Sequence, residues 1–408
     1  MKQPQFKKYL KLLALITVLI LVLAGGFNWL VDPYTVYGSP KIKNFNALKP
    51  EETTHARMSK AYLVRRLKPE AIILGTSDAE WGIDPDHPGW SYHPVFNLGI
   101  PGGNNYEMLR YLQHADKIQP LKQVLLGLDF LAFSIRSGTA DAATEARLAV
   151  SYDGKANSSL KSINEIIATL FSVDALGASL NTVKQEKDTL RYKENGMYEY
   201  TAPNLAAING YHGIFQMEEE SYAKNSSWRD DYKFENMDPD KNPFTYYRQI
   251  LQIAYREGID LRMFISPAHA RLWELLDNFG LWPNIEEWKH TLVSINEEEA
   301  RNYGKEPFPL WDFSDDNDFT TEAVPAVNDT QTVMRWFMDT RHYKKELGDL
   351  VLDRIFGYSA PGRQAPDDFG VLLNSGNIDS VLQKIRSDRQ HYRDTHPADV
   401  AEIQALFK

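Results

Sequence analysis

The feature that most constrains the fold is an alternation of short apolar runs with longer amphipathic stretches. Five runs have the length and composition of buried strands, and helical periodicity separates most of them. Strand–helix–strand alternation is typical of a parallel sheet covered by helices. The sequence therefore predicts an α/β fold, with strands at residues 71–74, 95–98, 123–128, 261–265 and 308–313.

The stretches between these runs carry apolar residues at helical spacing, which predicts amphipathic helices. Five strands are the number found in a three-layer flavodoxin-like sandwich, so we expect a five-stranded parallel sheet of that kind. The predicted helices cover residues 55–67, 106–118, 244–257, 285–303 and 343–356.

The N-terminus predicts a membrane anchor. Four lysines precede residues 12–31, an apolar stretch in which Thr17 and Asn28 are the polar interruptions. Twenty helical residues span roughly 30 Å, the thickness of a bilayer's hydrocarbon core. The lysines favour a cytoplasmic location for residues 1–11, which places the rest of the chain outside. The competing interpretation is a cleaved signal peptide, because residues 24–26 are small.

The remaining chain is predicted to have three parts. Residues 32–68 form a juxtamembrane connector, and residues 69–357 form the main α/β domain. Residues 134–242 break its strand–helix rhythm with polar, mostly helical or irregular sequence, including a loop-like run at 225–227. We interpret them as an insertion or cap. Residues 358–408 form a C-terminal helical tail.

Composition excludes several classes of function. The 408-residue chain has a net charge of −10, which argues against a nucleic-acid partner. It contains no cysteine, so thiol catalysis, disulfides, cysteine-ligated metals and lipoprotein anchoring are excluded. Asp84, Asp86 and His87 resemble a metal-ligand cluster, but the neighbouring prolines favour a turn. We expect no cofactor and no metal.

Residues that could take part in catalysis or ligand binding follow each predicted strand. In an open parallel sheet, ligands bind beyond the carboxyl ends of the strands, so we expect these side chains to converge. In strand order they are Ser77; Gly99, Asn104 and Asn105; Asp129; His269; and the pair Asp339 and His342.

These residue types suit acyl transfer. Ser77 is a weak nucleophile until a base takes its proton, and His342 would be that base, oriented by Asp339. The backbone N–H groups of Ser77 and Gly99 would stabilise the oxyanion. Each residue also has a structural interpretation. Ser77 or Asp339 would cap a helix, and residues 99–105 would form only a tight loop. His269 would be either a substrate contact or an ordinary loop histidine.

Four segments together resemble the SGNH/GDSL hydrolase superfamily: GTSDAEWGIDP, FNLGIPGGNNYE, LLGLDF and DTRH. The resemblance is narrower to membrane-anchored bacterial members that modify cell-envelope polymers, such as the alginate O-acetylation proteins and the D-alanyl-transfer proteins of teichoic acid. It covers roughly residues 70–130 and 245–357. It implies Ser77 as nucleophile, Gly99 as oxyanion donor, and Asp339 with His342 as the acid–base pair.

The sequence departs from the superfamily pattern at Asp129. The third segment normally ends in an asparagine that donates a hydrogen bond to the oxyanion, whereas a carboxylate would repel it unless protonated. Three explanations remain open: Asn104 or Asn105 takes the donor's place, Asp129 is structural, or the oxyanion hole is weaker than usual.

The expected function is that of an extracytoplasmic serine acyltransferase or esterase acting on acyl esters, acetyl esters foremost, of a cell-envelope polysaccharide. The expected partners are the bacterial inner (plasma) membrane, the glycan and a multi-spanning membrane acyltransferase. The alternative is a non-catalytic scaffold or glycan-binding component of a polysaccharide modification or export complex. The acyl group, the glycan and the choice between transferase and esterase stay open.

Overall fold

A computed structural model describes residues 3–135, 142–184, 191–199, 205–224, 232–234 and 241–408. The run predicted as a loop at residues 225–227 lies outside the described residues. The chain divides into two compact units. The first unit comprises the described residues within Met1–Leu67, Asp141–Tyr192 and Glu199–Ala202, and the second comprises those within Lys68–Ala140, Lys193–Tyr198 and Pro203–Lys408.

Fourteen α-helices lie within the described parts of the chain, and two short 3-10 helices, Pro50–Glu52 and Phe130–Phe133, accompany them. In chain order the α-helices are α1 Gln3–Val31, α2 Ala56–Leu67, α3 Ser77–Gly82, α4 Asn105–Ile118, α5 Ala142–Arg147, α6 Ser159–Leu170, α7 Val173–Lys184, α8 Leu205–Lys224, α9 Pro243–Glu257, α10 Ala270–Asn278, α11 Trp282–Tyr303, α12 Lys345–Phe356, α13 Ile378–Thr395 and α14 Pro397–Ala405.

The second unit is built on a mixed sheet of six strands in the order β2-β1-β3-β6-β7-β8. The first five are parallel, and β8 pairs antiparallel with β7. Among the described residues the strands are β1 Ala71–Leu74, β2 Val95–Asn97, β3 Gln123–Leu128, β4 Arg191–Tyr192, β5 Tyr198–Glu199, β6 Asp260–Ile265, β7 Leu310–Asp312 and β8 Val371–Leu372.

The predicted α/β class is confirmed, but the prediction of a five-stranded, all-parallel sheet is wrong. The additional strand, β8, has only two residues, of which one is exposed and one is half-buried. The apolar run at this strand, residues 371–373, has only three residues, fewer than the roughly four to eight residues by which a buried strand is recognised in a sequence.

The burial of the central strands explains why the parallel sheet could be predicted from the sequence. Every residue of β1 and β3 is buried, as expected where helices cover both faces of a parallel sheet. Helix α4 packs against α9, and α9 against α11. Helix α12 packs against α3. Phe264, Phe337 and Leu347 share one buried apolar cluster with the sheet residues Ile73 and Leu125.

The C-terminal segment is helical and ion-paired to the second unit. Helix α14 packs against α10, where the buried Arg271 bonds Glu402 at 3.0 Å. Arg389 and Arg393 of α13 both reach Glu274 of α10. These contacts and strand β8 make the last 50 or so residues part of the second unit's packing.

The first unit contains α1 and the α5–α7 segment. Residues Gln5–Val31 of α1 are long and apolar enough to cross a membrane, since an 18-residue window within them has a mean hydropathy of 2.5, and they are compatible with an anchor or with a signal sequence. Segments Ser162–Leu170 and Val173–Lys184 pass the same test only as a pair, and they are bent by 62°.

Candidate active site

Ser77 lies where the predicted turn leaves the sheet. Strand β1 ends at Leu74, and Gly75 follows with φ +155°, where a Cβ atom would come within 2.7 Å of the Ala79 Cβ. Thr76 then caps α3, its hydroxyl accepting a hydrogen bond from the Asp78 N–H at 3.4 Å. Because Thr76 is the capping residue, the interpretation of Ser77 as a helix cap does not hold here.

The structure brings Ser77, His342 and Asp339 together in a hydrogen-bonded row. His342 Nε2 lies 2.8 Å from Ser77 Oγ, and the Nδ1–H group donates to Asp339 Oδ2 at 2.7 Å. The other Asp339 oxygen accepts from the backbone N–H groups of Arg341 at 2.9 Å and His342 at 2.7 Å. One carboxylate therefore orders its own loop and orients the imidazole.

An aromatic ring stacks on one face of the imidazole and supports its orientation. The Trp81 indole stacks on the His342 ring, with centroids 4.5 Å apart and an interplanar angle of 22°. Tyr198 stacks on the same indole at 4.6 Å. Trp81 lies one turn after Ser77 in α3, so the helix that begins at the serine also carries the support for its partner.

The electrostatics of the site favour an ion pair between His342 and Asp339. Burial disfavours the imidazolium, but the Asp339, Asp78 and Glu218 carboxyl groups outweigh it and raise the pKa of His342 to about 9. Burial likewise opposes ionisation of Asp339, yet His342 and two backbone N–H groups lower the pKa of Asp339 to about 2. The proton thus stays on the imidazole over a wide pH range.

Asp129 is held by a cation, Arg341, which lies between the predicted acid and base in sequence. The Arg341 guanidinium pairs with Asp129 and donates to Asp78 at 2.8 Å and to the Thr76 hydroxyl at 3.1 Å. All of these groups lie beside Ser77. The Asp129 carboxylate also accepts from the Thr76 hydroxyl at 3.1 Å. Asp129 is therefore neutralised by an ion pair, not left facing the nucleophile alone.

Glu218 of α8 is a further acidic group at the site. Its carboxylate accepts from the Thr340 hydroxyl at 2.8 Å and from the Thr340 N–H at 3.2 Å. Burial and the nearby Asp339 raise the pKa of Glu218 to about 8. Ligand atoms of Glu218, Asp339 and His342 lie within 4.8 Å of one another. Both imidazole nitrogens are already hydrogen-bonded, to Ser77 and Asp339, so an internal network accounts for this cluster.

The residues predicted as oxyanion donors are engaged within the fold. The Gly99 N–H donates to the side chain of Asn97 at 2.9 Å, and a Cβ at Gly99 would lie 2.7 Å from the Glu80 backbone nitrogen. Asn104 caps α4 by accepting from the Glu107 N–H at 3.0 Å. Asn105 donates to the Ala132 carbonyl at 3.3 Å.

His269 has a structural environment. Its side chain is about 1% exposed, Nε2–H donates to the Glu322 carbonyl at 2.7 Å, and Nδ1 accepts from the Arg271 N–H. Burial lowers the pKa of His269 to about 4, so the ring is neutral. Of the two interpretations left open, this geometry favours a helix-capping residue over a substrate contact.

The residues near Pro85 are tied to separate partners. Asp84 pairs with Lys345 at 3.0 Å, and His87 bonds Asp353 at 3.0 Å. The Asp86 N–H donates to Asp84 at 3.0 Å, which is a turn contact. This arrangement agrees with the interpretation as a turn.

Sequence reasoning assigned no catalytic role to Arg341, Glu218 or Trp81. Arg341 had a usable signal, because Asp78 and Asp129 both follow strands of one sheet edge and such an acidic excess needs a cation. Trp81 had a weaker signal, its position one turn after the serine. Glu218 lies in the polar insertion, where nothing in the sequence points to the sheet.

Comparison with known proteins adds no relative. No protein-family model matches the chain. A search of curated proteins likewise finds no match.

Proposed function

We propose that the chain is a membrane-anchored serine acyltransferase or esterase that forms an acyl-enzyme on Ser77. The observation that carries the proposal is the row Ser77–His342–Asp339, with heavy-atom distances of 2.8 and 2.7 Å. Nucleophile, base and orienting acid within hydrogen-bond reach are the constellation that activates a serine. The five parallel strands also follow the order 2-1-3-4-5 of flavodoxin-like sheets, which supports the three-layer sandwich.

The chemistry follows from these contacts. His342 in its neutral form takes the proton from Ser77 Oγ as that oxygen attacks the ester carbonyl carbon. The imidazolium, stabilised by Asp339, then gives the proton to the departing alkoxide, so an alcohol leaves and the acyl group stays on Ser77. A second alcohol or water repeats the sequence in reverse: His342 accepts its proton, the new ester or acid forms, and Ser77 regains its hydrogen.

Arg341 is the proposed substitute for the asparagine expected in the oxyanion hole. Its guanidinium donates to the hydroxyl of Thr76, the residue directly before the nucleophile. The Ser77 N–H lies in the first turn of α3, where helical N–H groups have no acceptor inside the helix. In the proposed complex, they would supply a cation and a backbone donor near the carbon under attack. The two carboxylates on Arg341 keep this cation in position.

The substrate class rests on the resemblance to SGNH enzymes of the cell envelope and on α1. An anchor holds the catalytic unit beside a membrane acyl donor and so raises the effective concentration of that partner. We therefore propose an acyl ester of an envelope polysaccharide as substrate, and a multi-spanning acyltransferase as the partner that supplies the acyl group.

The test is turnover of a chromogenic acetyl ester by the purified full chain. Ser77→Ala is expected to reduce turnover to the buffer rate, while circular dichroism and the urea midpoint stay those of the parent. Ser380→Ala is the matched control, because this hydroxyl lies on the exposed side of α13 and should leave the rate unchanged. Unchanged turnover in Ser77→Ala would remove Ser77 from the mechanism.

A second candidate is a non-catalytic scaffold or glycan-binding component. The observation in its favour is that Gly99, Asn104 and Asp129 are all engaged in internal bonds. It predicts that the folded parent hydrolyses no acyl ester above the buffer rate yet binds an envelope glycan in calorimetry.

A further inference from the structure

The junction of α6 and α7 exposes large apolar side chains on one side. Ile163, Ile167 and Phe171 follow one another at four-residue spacing, which puts them on one face. They are 45%, 49% and 46% exposed, and Val173 after the bend is 85% exposed. No charged residue occurs at positions 166–173. We call residues 167–173 the elbow. A contiguous apolar surface of this kind marks an interaction site.

The elbow lies against the apolar part of α1, within the same unit. The Phe171 ring packs on Gly25, where a Cβ atom would come within 2.7 Å of the ring. Gly25 precedes the end of α1 at Val31 by six residues, about 9 Å along the helix axis. The elbow therefore contacts α1 at a depth that belongs to its apolar stretch, not to the chain beyond it.

Two backbone carbonyls of the elbow are hydrogen-bonded within the protein, as a low-dielectric environment favours. The buried Asn28 side chain donates to the carbonyls of Leu170 at 2.9 Å and Ser172 at 3.4 Å, and accepts from the Ser179 hydroxyl at 3.0 Å. Carbonyls at a helix end otherwise need water, which hydrocarbon does not supply. Asn28, a polar interruption in the apolar stretch, is thus the partner of the elbow's backbone.

Charged groups flank the elbow where the chain has left the apolar stretch. Glu165, six residues before Phe171, bonds Arg147 and the Tyr62 hydroxyl at 2.9 Å. Asp174 accepts from the hydroxyl of Tyr34, which follows α1. The distribution is that of a segment that dips into a bilayer and returns, with its polar ends held at the interface.

We propose that the elbow inserts into the outer leaflet of the membrane that α1 spans, with Ile167, Phe171 and Val173 among the lipid acyl chains. The inference rests on the proposed anchor, since a cleaved α1 would leave no bilayer beside the elbow. It gives the first unit a second membrane contact besides α1.

Absence of cysteine makes the test direct, because each engineered cysteine carries the only label. Val173→Cys, Asn164→Cys and Leu15→Cys are each labelled with a nitroxide in the full chain. Each is reconstituted at one copy per nanodisc of phosphatidylcholine and phosphatidylglycerol. Collision with oxygen, which enters hydrocarbon, and with a water-soluble nickel complex is then measured. Asn164 is the matched control, an exposed polar position on α6 beside Glu165.

The proposal predicts a high oxygen-to-nickel collision ratio at Val173, close to that at Leu15, and a low ratio at Asn164. A ratio at Val173 equal to that at Asn164, with Leu15 still in hydrocarbon, would overturn the elbow's insertion while leaving the anchor intact. A low ratio at Leu15 would overturn the anchor itself. Protection of Val173 from both reagents would show that protein, not lipid, covers the elbow, which also contradicts the proposal.

Discussion

His342 Nε2 lies 2.8 Å from Ser77 Oγ, although 265 positions separate the two residues in the sequence. The contact exists because Ser77 begins the helix after the first strand and the loop carrying His342 precedes α12, which packs on that same helix. The parallel sheet thus brings a residue after its first strand and a residue after its last parallel strand together at the carboxyl ends of the strands. The proposed chemistry depends on this contact.

The pH dependence of turnover should be displaced to alkaline pH. The base must be neutral, and since the pKa of His342 is raised to about 9, kcat/KM should rise with pH and reach half its maximum well above 6.5. Asp78→Asn removes a negative charge 3.8 Å from Nε2, so the pH of half-maximal kcat/KM should fall. The exposed Asp379→Asn should leave that pH unchanged. A half-maximal kcat/KM at or below pH 6.5 in the parent would contradict this electrostatic account.

Removal of Arg341 should destabilise the fold through its two carboxylate partners. The side chain is 12% exposed, and Arg341→Met leaves the carboxylates of Asp78 and Asp129 without their cation. Breaking one side of such a buried pair costs about 3–5 kcal/mol in the free energy of unfolding. The double variant Asp129→Asn/Arg341→Met should recover part of that loss. Urea unfolding measures both, and equal stability of the single variant and the parent would refute the ion-pair network.

The stacked indole should matter for rate more than for binding. Trp81→Leu removes the support of the His342 ring, and small misplacement of a catalytic group costs up to about 10²-fold, so kcat should fall while KM changes little. Trp282→Leu is the control, because that indole packs on Arg389, 3.6 Å away, and not on the imidazole. Equal kcat values in the two variants would show that the stack has no orienting role.

His269 should affect stability and its pH dependence, not substrate binding. Its pKa is lowered to about 4 in the folded chain, below the ordinary 6.5. Between these pH values the unfolded chain therefore binds the proton more readily than the folded chain does. The contribution of the neutral His269 side chain to stability is lost as pH falls from about 6.5 toward 4. His269→Gln should weaken the pH dependence of the unfolding free energy in that window and leave KM unchanged. His290→Gln, at an exposed position, is the control and should leave the pH dependence of stability as it is in the parent. A large rise in KM without a stability change would instead make His269 a substrate contact.

The parts of the fold in which consecutive residues are buried and apolar were predictable from the sequence. The bounds of β1 and β3 follow from the sequence because both strands are buried on two faces and read as unbroken apolar runs. Strand β8 lies in an apolar run of only three residues, 371–373, and was missed. Helix α10 was also missed, although its buried residues Leu272, Leu275 and Leu276 lie at helical spacing in the sequence.

The candidate site was predictable only where local sequence defines it. The Asp339 loop is organised by hydrogen bonds within four residues, so acid and base appear together in the sequence. Glu218 and Tyr222 come from α8 in the polar insertion, and their approach to Thr340 and Arg341 is set by tertiary packing. The Arg341–Asp129 pair likewise joins residues 212 positions apart, so the acidic residues after the strands indicate that a cation is needed but not which residue supplies it.

The most direct measurement of the central claim is covalent labelling by a fluorophosphonate, followed by mass spectrometry of the modified peptide. The probe phosphonylates a serine hydroxyl that an adjacent base activates, with fluoride as the leaving group. The proposed mechanism predicts a single adduct on Ser77 in the parent and loss of labelling in His342→Gln, with the fold intact by circular dichroism. Folded parent that stays unlabelled, or an adduct at another serine, would contradict it.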